Sequence, residues 1–471
     1  MNVLRPAWML AALGLVLSPC HAAGPARDVA TVAGEYVAIA LEGNLALQGQ
    51  QLEVERAEAA LDAARARFFP ELSLQARYTR ADGGREFDIP VGTLLNPAFQ
   101  TLNELLAAHG EPPRFAPVPD QTIPFQRSRE QDTRVTLRQP LYQPAIPAAA
   151  RAQRELLRGA RAGREVIEQR LRRDVWLGYL EWLKALRARE VLQASERVLA
   201  ENLRVSESLL ANGRITEDQM LRARTEHLAI TQQIREMTHQ VGQARSYVNF
   251  LLNRPLETPL EDAVLPEGMP LVAGAEEVPV RLRPELEQAA ALGAAAGEQQ
   301  RVARAALRPS LSLGVDAGTQ GEHWDFGPTD RFVAASLVLS WKLFDGGANR
   351  AEAQRARLAA RQARLQEEAL LREVELEQQQ ARDRLDAARD TLAVAQARAE
   401  AARAALRIAE RKRDAGTISQ AEFLDARHAL TTAELALNVN RFELLQRRIE
   451  LQYARGGIPG EAPRTNQETA P

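Results

Sequence analysis

The chain has 471 residues, enough for two or three ordinary domains, and 26% of them are charged. Its formal net charge is only −2, with acids and bases interspersed, so no global basic field points to nucleic acid. Lys184, Lys342 and Lys412 are the only lysines and Cys20 the only cysteine, which leaves no disulfide framework to staple a fold.

Residues 1–22 have the layout of a secretory signal: Arg5, an apolar run, Ser18-Pro19, then small residues before a cleavage expected after Ala22. Leu17, three before Cys20, would also suit a lipid-anchored N-terminus, although Pro19 directly before the cysteine argues against it. Beyond residue 23 no run of 18 apolar residues occurs, so no membrane-spanning helix is expected. An exported protein of this kind is periplasmic, secreted, or crosses a membrane as β-strands.

Residues 28–67 carry Val32, Tyr36, Ile39, Leu45, Leu52 and Leu61 at helical spacing, and Pro70 follows. At residues 72–79 the period changes to strict alternation, Leu-Ser-Leu-Gln-Ala-Arg-Tyr-Thr, which reads as a strand with one apolar face. Residues 82–131 form a Gly- and Pro-rich connection with one helical stretch near Thr101 to His109, and residues 134–141 alternate again. Pro144 and Pro147 open a helix over about 148–211, roughly 95 Å long at 1.5 Å per residue. A shorter helix continues to about Leu252, and residues 253–282, with five prolines, read as a linker.

The plan then repeats. A helix over 284–306 leads into Pro309-Ser310-Leu311-Ser312-Leu313, mirroring Pro70-Glu71-Leu72-Ser73-Leu74. A connection over 318–330 carries Trp324 and Phe326, and a strand over 333–341 runs into Leu343-Phe344-Asp345-Gly346-Gly347. A helix of about 66 residues, a turn and another helix to about Arg455 complete a second repeat over 283–457, before a tail over 458–471. The first repeat spans 23–252. Each reads helix, strand, strand, long helix, turn, helix.

The two turns carry the same chemistry, 203 residues apart: Gly213-Arg214-Ile215-Thr216 and Gly416-Thr417-Ile418-Ser419. Each glycine suits the left-handed conformation that closes a helix. Thr216 with Gln219, and Ser419 with Glu422, have capping-box spacing.

Helices this long do not belong to a compact globule. Four strands cannot close a membrane barrel, and open edges are not tolerated in lipid, so several chains must pool their strands if these cross a membrane. Leu72, Leu74, Ala76 and Tyr78 would then face lipid, and Ser73, Gln75, Arg77 and Thr79 a watery lumen.

These features resemble the TolC-type outer-membrane factors, the exit ducts of tripartite efflux pumps and type I secretion systems. The resemblance covers residues 28 to 457. It is carried by Ala40-Leu41-Glu42-Gly43-Asn44, the two Pro-x-Leu-x-Leu strands, Trp341-x-Leu343-Phe344-Asp345-Gly346-Gly347 and the turn from Gly416 to Ala426. It implies a mainly α-helical protein with a membrane β-barrel: a homotrimer pooling four strands per protomer into one barrel of 12 strands, above a coiled-coil tunnel in the periplasm. The barrel would sit in outer-membrane lipid of a Gram-negative bacterium. Both turns would form a tip that meets a periplasmic adaptor protein, with energy from an inner-membrane pump.

The resemblance also implies a gate of paired acids, mapped here to Glu422 and Asp425, three apart on one helical face. Three copies of each would focus a negative field and raise some carboxylate pKa values. In the first repeat Gln219 takes the acid's place, beside Asp218. An arginine common after the family's glycine-threonine is Ile418 here, and a nearby tyrosine is Arg413, leaving Arg214, Lys412 and Arg413 as candidate latching cations.

No enzyme, cofactor or metal reading competes. His109, His227, His239, His323 and His428 are scattered, and no phosphate loop, nucleophile elbow or histidine triad occurs. The alternative is a non-inserting periplasmic coiled-coil adaptor or scaffold, which two hairpins and matched strand pairs argue against.

Overall fold

The computed structural model describes residues 27–125, 127–265, 283–323 and 327–457. The expected signal segment with Cys20, most of the linker, Trp324, Phe326 and the tail after 457 lie outside the described residues. The elements in chain order are α1 (Val29–Gly43), α2 (Leu45–Ala66), β1 (Glu71–Arg80), β2 (Glu86–Ile89), α3 (Val91–Ala108), β3 (Gln121–Pro124) and β4 (Arg129–Tyr142). Then come α4 (Ala145–Ala211), α5 (Glu217–Leu251), α6 (Pro284–Ala305), β5 (Ser310–Gly321), β6 (Arg331–Ser340), α7 (Ala348–Asp414) and α8 (Gln420–Ala454). The repeated plan of helix, two strands and a long helix hairpin is present in both halves. α4 and α7 have 67 residues each, roughly 100 Å at 1.5 Å per residue.

The opening helix departs from a single run over 28–67. It breaks at Asn44, whose backbone is extended (φ −70°, ψ 123°). The Asn44 carboxamide oxygen accepts from the N–H groups of Ala46 (3.0 Å) and Leu47 (3.3 Å), capping α2, while its Nδ2 donates to the Leu251 carbonyl at 3.0 Å. One polar residue thus closes one helix, opens the next and ties both to the end of α5.

The chain divides into two compact units. The first comprises residues up to 55, 158–290 and 365 onward. Its core gathers Tyr36 of α1, Trp176, Tyr179, Leu180 and Leu183 of α4, and Phe442 and Ile449 of α8. The Tyr36 and Tyr179 rings meet edge to face with centroids 5.3 Å apart. Both hydroxyls grip the segment after α5: Tyr36 Oη accepts from the Glu261 N–H and Tyr179 Oη donates to the Glu261 carbonyl, each at 2.9 Å. The start of the expected linker is therefore fixed to the core. Along the second hairpin, Ala395 and Ala399 of α7 pack on Ala433 and Leu437 of α8. Small side chains let two backbones approach, which is what the alanine-rich stretch of α7 supplies.

The second unit, residues 56–157 and 291–364, holds an antiparallel sheet in the order β1-β4-β5-β6. Its register aligns Leu72 with Leu137, Leu137 with Val315 and Val315 with Ala335, so one face is apolar across all four strands. The other face carries Arg77, Asp132, Arg134, Thr136 and Asp316. Asp132 pairs with Arg134 and lies 3.5 Å from Arg77, and Thr136 donates to Asp316. The expected alternation thus holds, with polar groups satisfying one another on the face opposite the leucines. β4 is longer than the alternation at 134–141 suggests, and its register to β5 shifts between Pro140 and Tyr142, where proline has no N–H to give the ladder. Where α7 begins, Asp345 accepts from the N–H groups of Gly347 (3.0 Å) and Asn349 (2.9 Å).

Residues 82–131 contain more order than one short helical stretch. α3 covers 18 residues and β2 pairs with β3. Pro97 inside α3 hides it from a periodicity reading, since proline removes one helical hydrogen bond.

Candidate functional site

Both helix reversals close by the same backbone device. Gly213 takes φ +66° and Gly416 φ +67°, the left-handed region. The Gly213 N–H donates to the Leu210 carbonyl and the Arg214 N–H to the Leu209 carbonyl, both at 2.9 Å. In the second turn Gly416 donates to Arg413 and Thr417 to Lys412, again at 2.9 Å. This paired closure satisfies the last carbonyls of α4 and α7.

The helix starts differ. Ser419 and Glu422 form a complete capping box: the Glu422 N–H donates to Ser419 Oγ (3.2 Å), and the Ser419 N–H donates to Glu422 Oε2 (3.0 Å). Thr216 has the extended cap conformation, yet its hydroxyl accepts no cap hydrogen bond, so the first expected box is not formed. There Glu217 and Asp218 occupy the first turn, where negative charge suits the helix dipole.

Within one chain the Glu422 carboxyl is held by its own cap. The Ser419 backbone N–H, then its hydroxyl, hold the Glu422 carboxyl below its ordinary 4.5, and nearby Lys412 adds to this. Asp425 and Asp218 are exposed and form no ion pair among the described residues.

The candidate cations separate in the same way. Arg413 lies over the ring of Phe423, its guanidinium carbon 4.1 Å from the centroid. Ile418 is half-buried against the apolar cluster of the hairpins, and Arg214 is exposed.

Between the two hairpins lies a contact layer that the sequence reading did not single out. Leu192 and Leu199 of α4, Ile230 of α5, Leu406 of α7, and Phe423 and Leu430 of α8 form one buried cluster. Gln420 Nε2 donates to Asn202 Oδ1 (3.2 Å) and Ser206 Oγ (3.0 Å), tying the start of α8 to α4. Deeper, the buried hydroxyls of Ser195 and Thr431 pair at 2.9 Å. Arg427, which donates to the Ala194 carbonyl at 3.3 Å, has its pKa lowered by burial. The available signal is the seven-residue recurrence of Phe423 and Leu430 on one face of α8.

The first unit thus holds two long helix hairpins in contact near their tips, and the second a sheet apolar on one face and polar on the other. The chain belongs to the outer membrane efflux protein family, whose model matches residues 37–254 and 281–457. No curated protein matches the sequence. Solved structures do match in fold. The Campylobacter jejuni CmeC outer membrane channel has a TM-score of 0.74 at 16% identity, covering 98% of this chain and 95% of that one. The outer membrane protein VceC of Vibrio cholerae gives 0.74 at 16%, covering 90% and 96%. The open state of the Neisseria gonorrhoeae MtrE outer membrane channel gives 0.73 at 19%, covering 90% and 89%. The fold is thus the expected one, a long α-helical coiled coil with four membrane strands per protomer, and the family is one of channels, not enzymes.

Proposed function

We propose that the chain is the passive exit duct of a tripartite efflux pump, a homotrimer whose helix hairpins project into the periplasm. The observation that carries this reading is the sheet: β1 and β6 are its edges, and Leu72, Leu74, Leu337 and Leu339 on one face are exposed. An open apolar sheet is stable in lipid only when closed. Three copies would supply twelve strands, within the range of membrane barrels. Gly213 to Thr216 and Gly416 to Ser419 then form the tip that meets an adaptor, and an inner-membrane partner supplies energy.

The gate charges are Asp425 and Asp218, which are exposed and unpaired, with Glu422 holding the helix that presents Asp425. Arg413 is a ring-stacked neighbour of this mouth. The test is conductance of the detergent-purified protein in a planar bilayer, wild type against Asp425→Ala and Asp218→Ala. Discrete steps that open more often in the variants support the duct and its gate. Steps unchanged by either variant move the gate elsewhere, and a folded sample without steps overturns the duct.

A further inference from the structure

The connection between β1 and β4 holds a helix with one side fixed and the other bare. Asn96 Nδ2 donates to the Val118 carbonyl (2.9 Å) while its Oδ1 accepts the Val118 N–H (2.8 Å). Asn103 does the same with Phe115, at 2.7 and 3.0 Å. The Thr93 N–H and hydroxyl both donate to Asp120 at 2.8 Å. A Cβ on Gly92 would sit 2.2 Å from the Val118 carbonyl oxygen, so the segment before β3 lies directly on α3.

Asn96 and Asn103 are two turns apart and define the covered face. At about 100° per residue, Leu94, Ala98, Leu102 and Leu105 fall on the opposite side. The three leucines are 73%, 42% and 53% exposed. A helix locked in rotation, with leucines toward solvent, is a face without its partner.

Charge chooses between two occupants. Residues 82–128 carry six acids and three arginines, and α3 has one charge, Glu104. Helices that lie on anionic lipid carry Lys and Arg on their polar face; this one has none, and its acids oppose such a surface. A second copy presents the same uncharged leucines at the contact itself, with Glu104, the one charge of α3, off that face and the other acids in the flanking loops. Position favours it too. The insertion leaves β1 at Arg80, the end away from α2, and β1 is the unpaired edge where a neighbouring chain would begin.

We propose that α3 packs through Leu94, Leu102 and Leu105 against the α3 helices of the other copies, forming a cap across the external mouth. This rests on the trimeric duct reading. The chain would then close at both ends, by charge at the tips and by leucine contact outside.

The experiment uses a Cys20→Ser background, which has no other cysteine. Leu94→Cys, Leu105→Cys and, as an off-face control, Glu104→Cys are purified in detergent and oxidised with copper phenanthroline. The expected result is a disulfide-linked dimer band for the two leucine positions and little for Glu104→Cys, with maleimide labelling at least tenfold slower at Leu94→Cys than at Glu104→Cys. A trimer that gives no cross-link and labels equally fast at all three positions overturns the cap but keeps the duct. Labelling at Leu94→Cys that is fast in detergent and blocked only in phosphatidylglycerol vesicles assigns the face to lipid, and also overturns it. A protein that stays monomeric and conducts nothing overturns the duct itself.

Discussion

The Arg413 guanidinium and the Phe423 ring stack at 4.1 Å across the turn from α7 into α8. Phe423 is buried under it, and Arg413 keeps its outer face in water. A cation placed this way is held by a ring as well as by charge, so its replacements should not behave alike. Arg413→Lys should lose the planar stack, worth about 0.5–1 kcal/mol at an exposed site. Phe423→Ala empties a core position and should cost about 3–5 kcal/mol. Thermal unfolding of the purified protein checks the order; equal effects from both would mean that the ring serves only as a seat for the arginine.

Charge and capping can be separated at Glu422. Glu422→Gln keeps an oxygen able to accept from Ser419, whereas Glu422→Ala removes it. Amide exchange in the first turn of α8 should therefore rise sharply in the alanine variant and slightly in the glutamine variant. A glutamine variant as frayed as alanine would show that the negative charge, not the hydrogen bond, holds the turn.

The same cap sets an acid limit. The folded-state pKa of Glu422 lies below its ordinary 4.5, so its contribution is fully present above that value and disappears as pH falls through the lower, folded one. Protection of the first-turn amides of α8, taken relative to their intrinsic exchange rates, should be constant from pH 7 to about 5 and then fall in acid. The start of α5, where the Thr216 hydroxyl makes no such bond, should lack this acid step.

Backbone conformation alone should decide the cost at the turn glycines. A Cβ at Gly213 or Gly416 meets nothing within 4 Å, so an alanine there suffers only the left-handed penalty, about 1–2 kcal/mol. Asparagine, which tolerates this region, should cost less. A Gly416→Ala protein with unchanged melting temperature would mean that the turn relaxes to another conformation.

Tyr179→Phe should leave the Glu261 carbonyl without its side-chain donor and loosen residues 253–265. Burial raises the Tyr179 pKa, so the hydroxyl remains a donor throughout the physiological range. The expected loss is about 1 kcal/mol, read as faster proteolysis after α5 with the helices intact. Tyr36→Phe, which removes the acceptor for the Glu261 N–H, should produce the same nick.

Much of this fold was legible because period and punctuation agree. Gly213 and Gly416 mark reversals by the only residue that takes their conformation freely, and they recur with matching neighbours. Leu72 to Thr79 alternates strictly, and the register keeps that alternation across four strands. The break at Asn44 was not legible, because a single polar residue there leaves the helical period on both sides intact. α3 is longer than its periodicity indicates, since Pro97 signals a stop, while the bonds that hold the helix, from Asn96 and Asn103, run to residues 114–118. Of the site, the turns and their exposed acids could be read in the chain. The stacking of Arg413 on Phe423 and the tie from Gln420 to α4 are contacts between elements, and no local pattern encodes them.

The unequal caps have a consequence for assembly. Three copies would bring six reversals together, all closed by the backbone, three with a side-chain box added and three with bare acids in the first turn instead. Such a rim repeats every third of a circle, not every sixth. A docking partner built from six identical units would then meet two alternating kinds of seat, one stiff and one yielding, and would have to engage them with unequal strength.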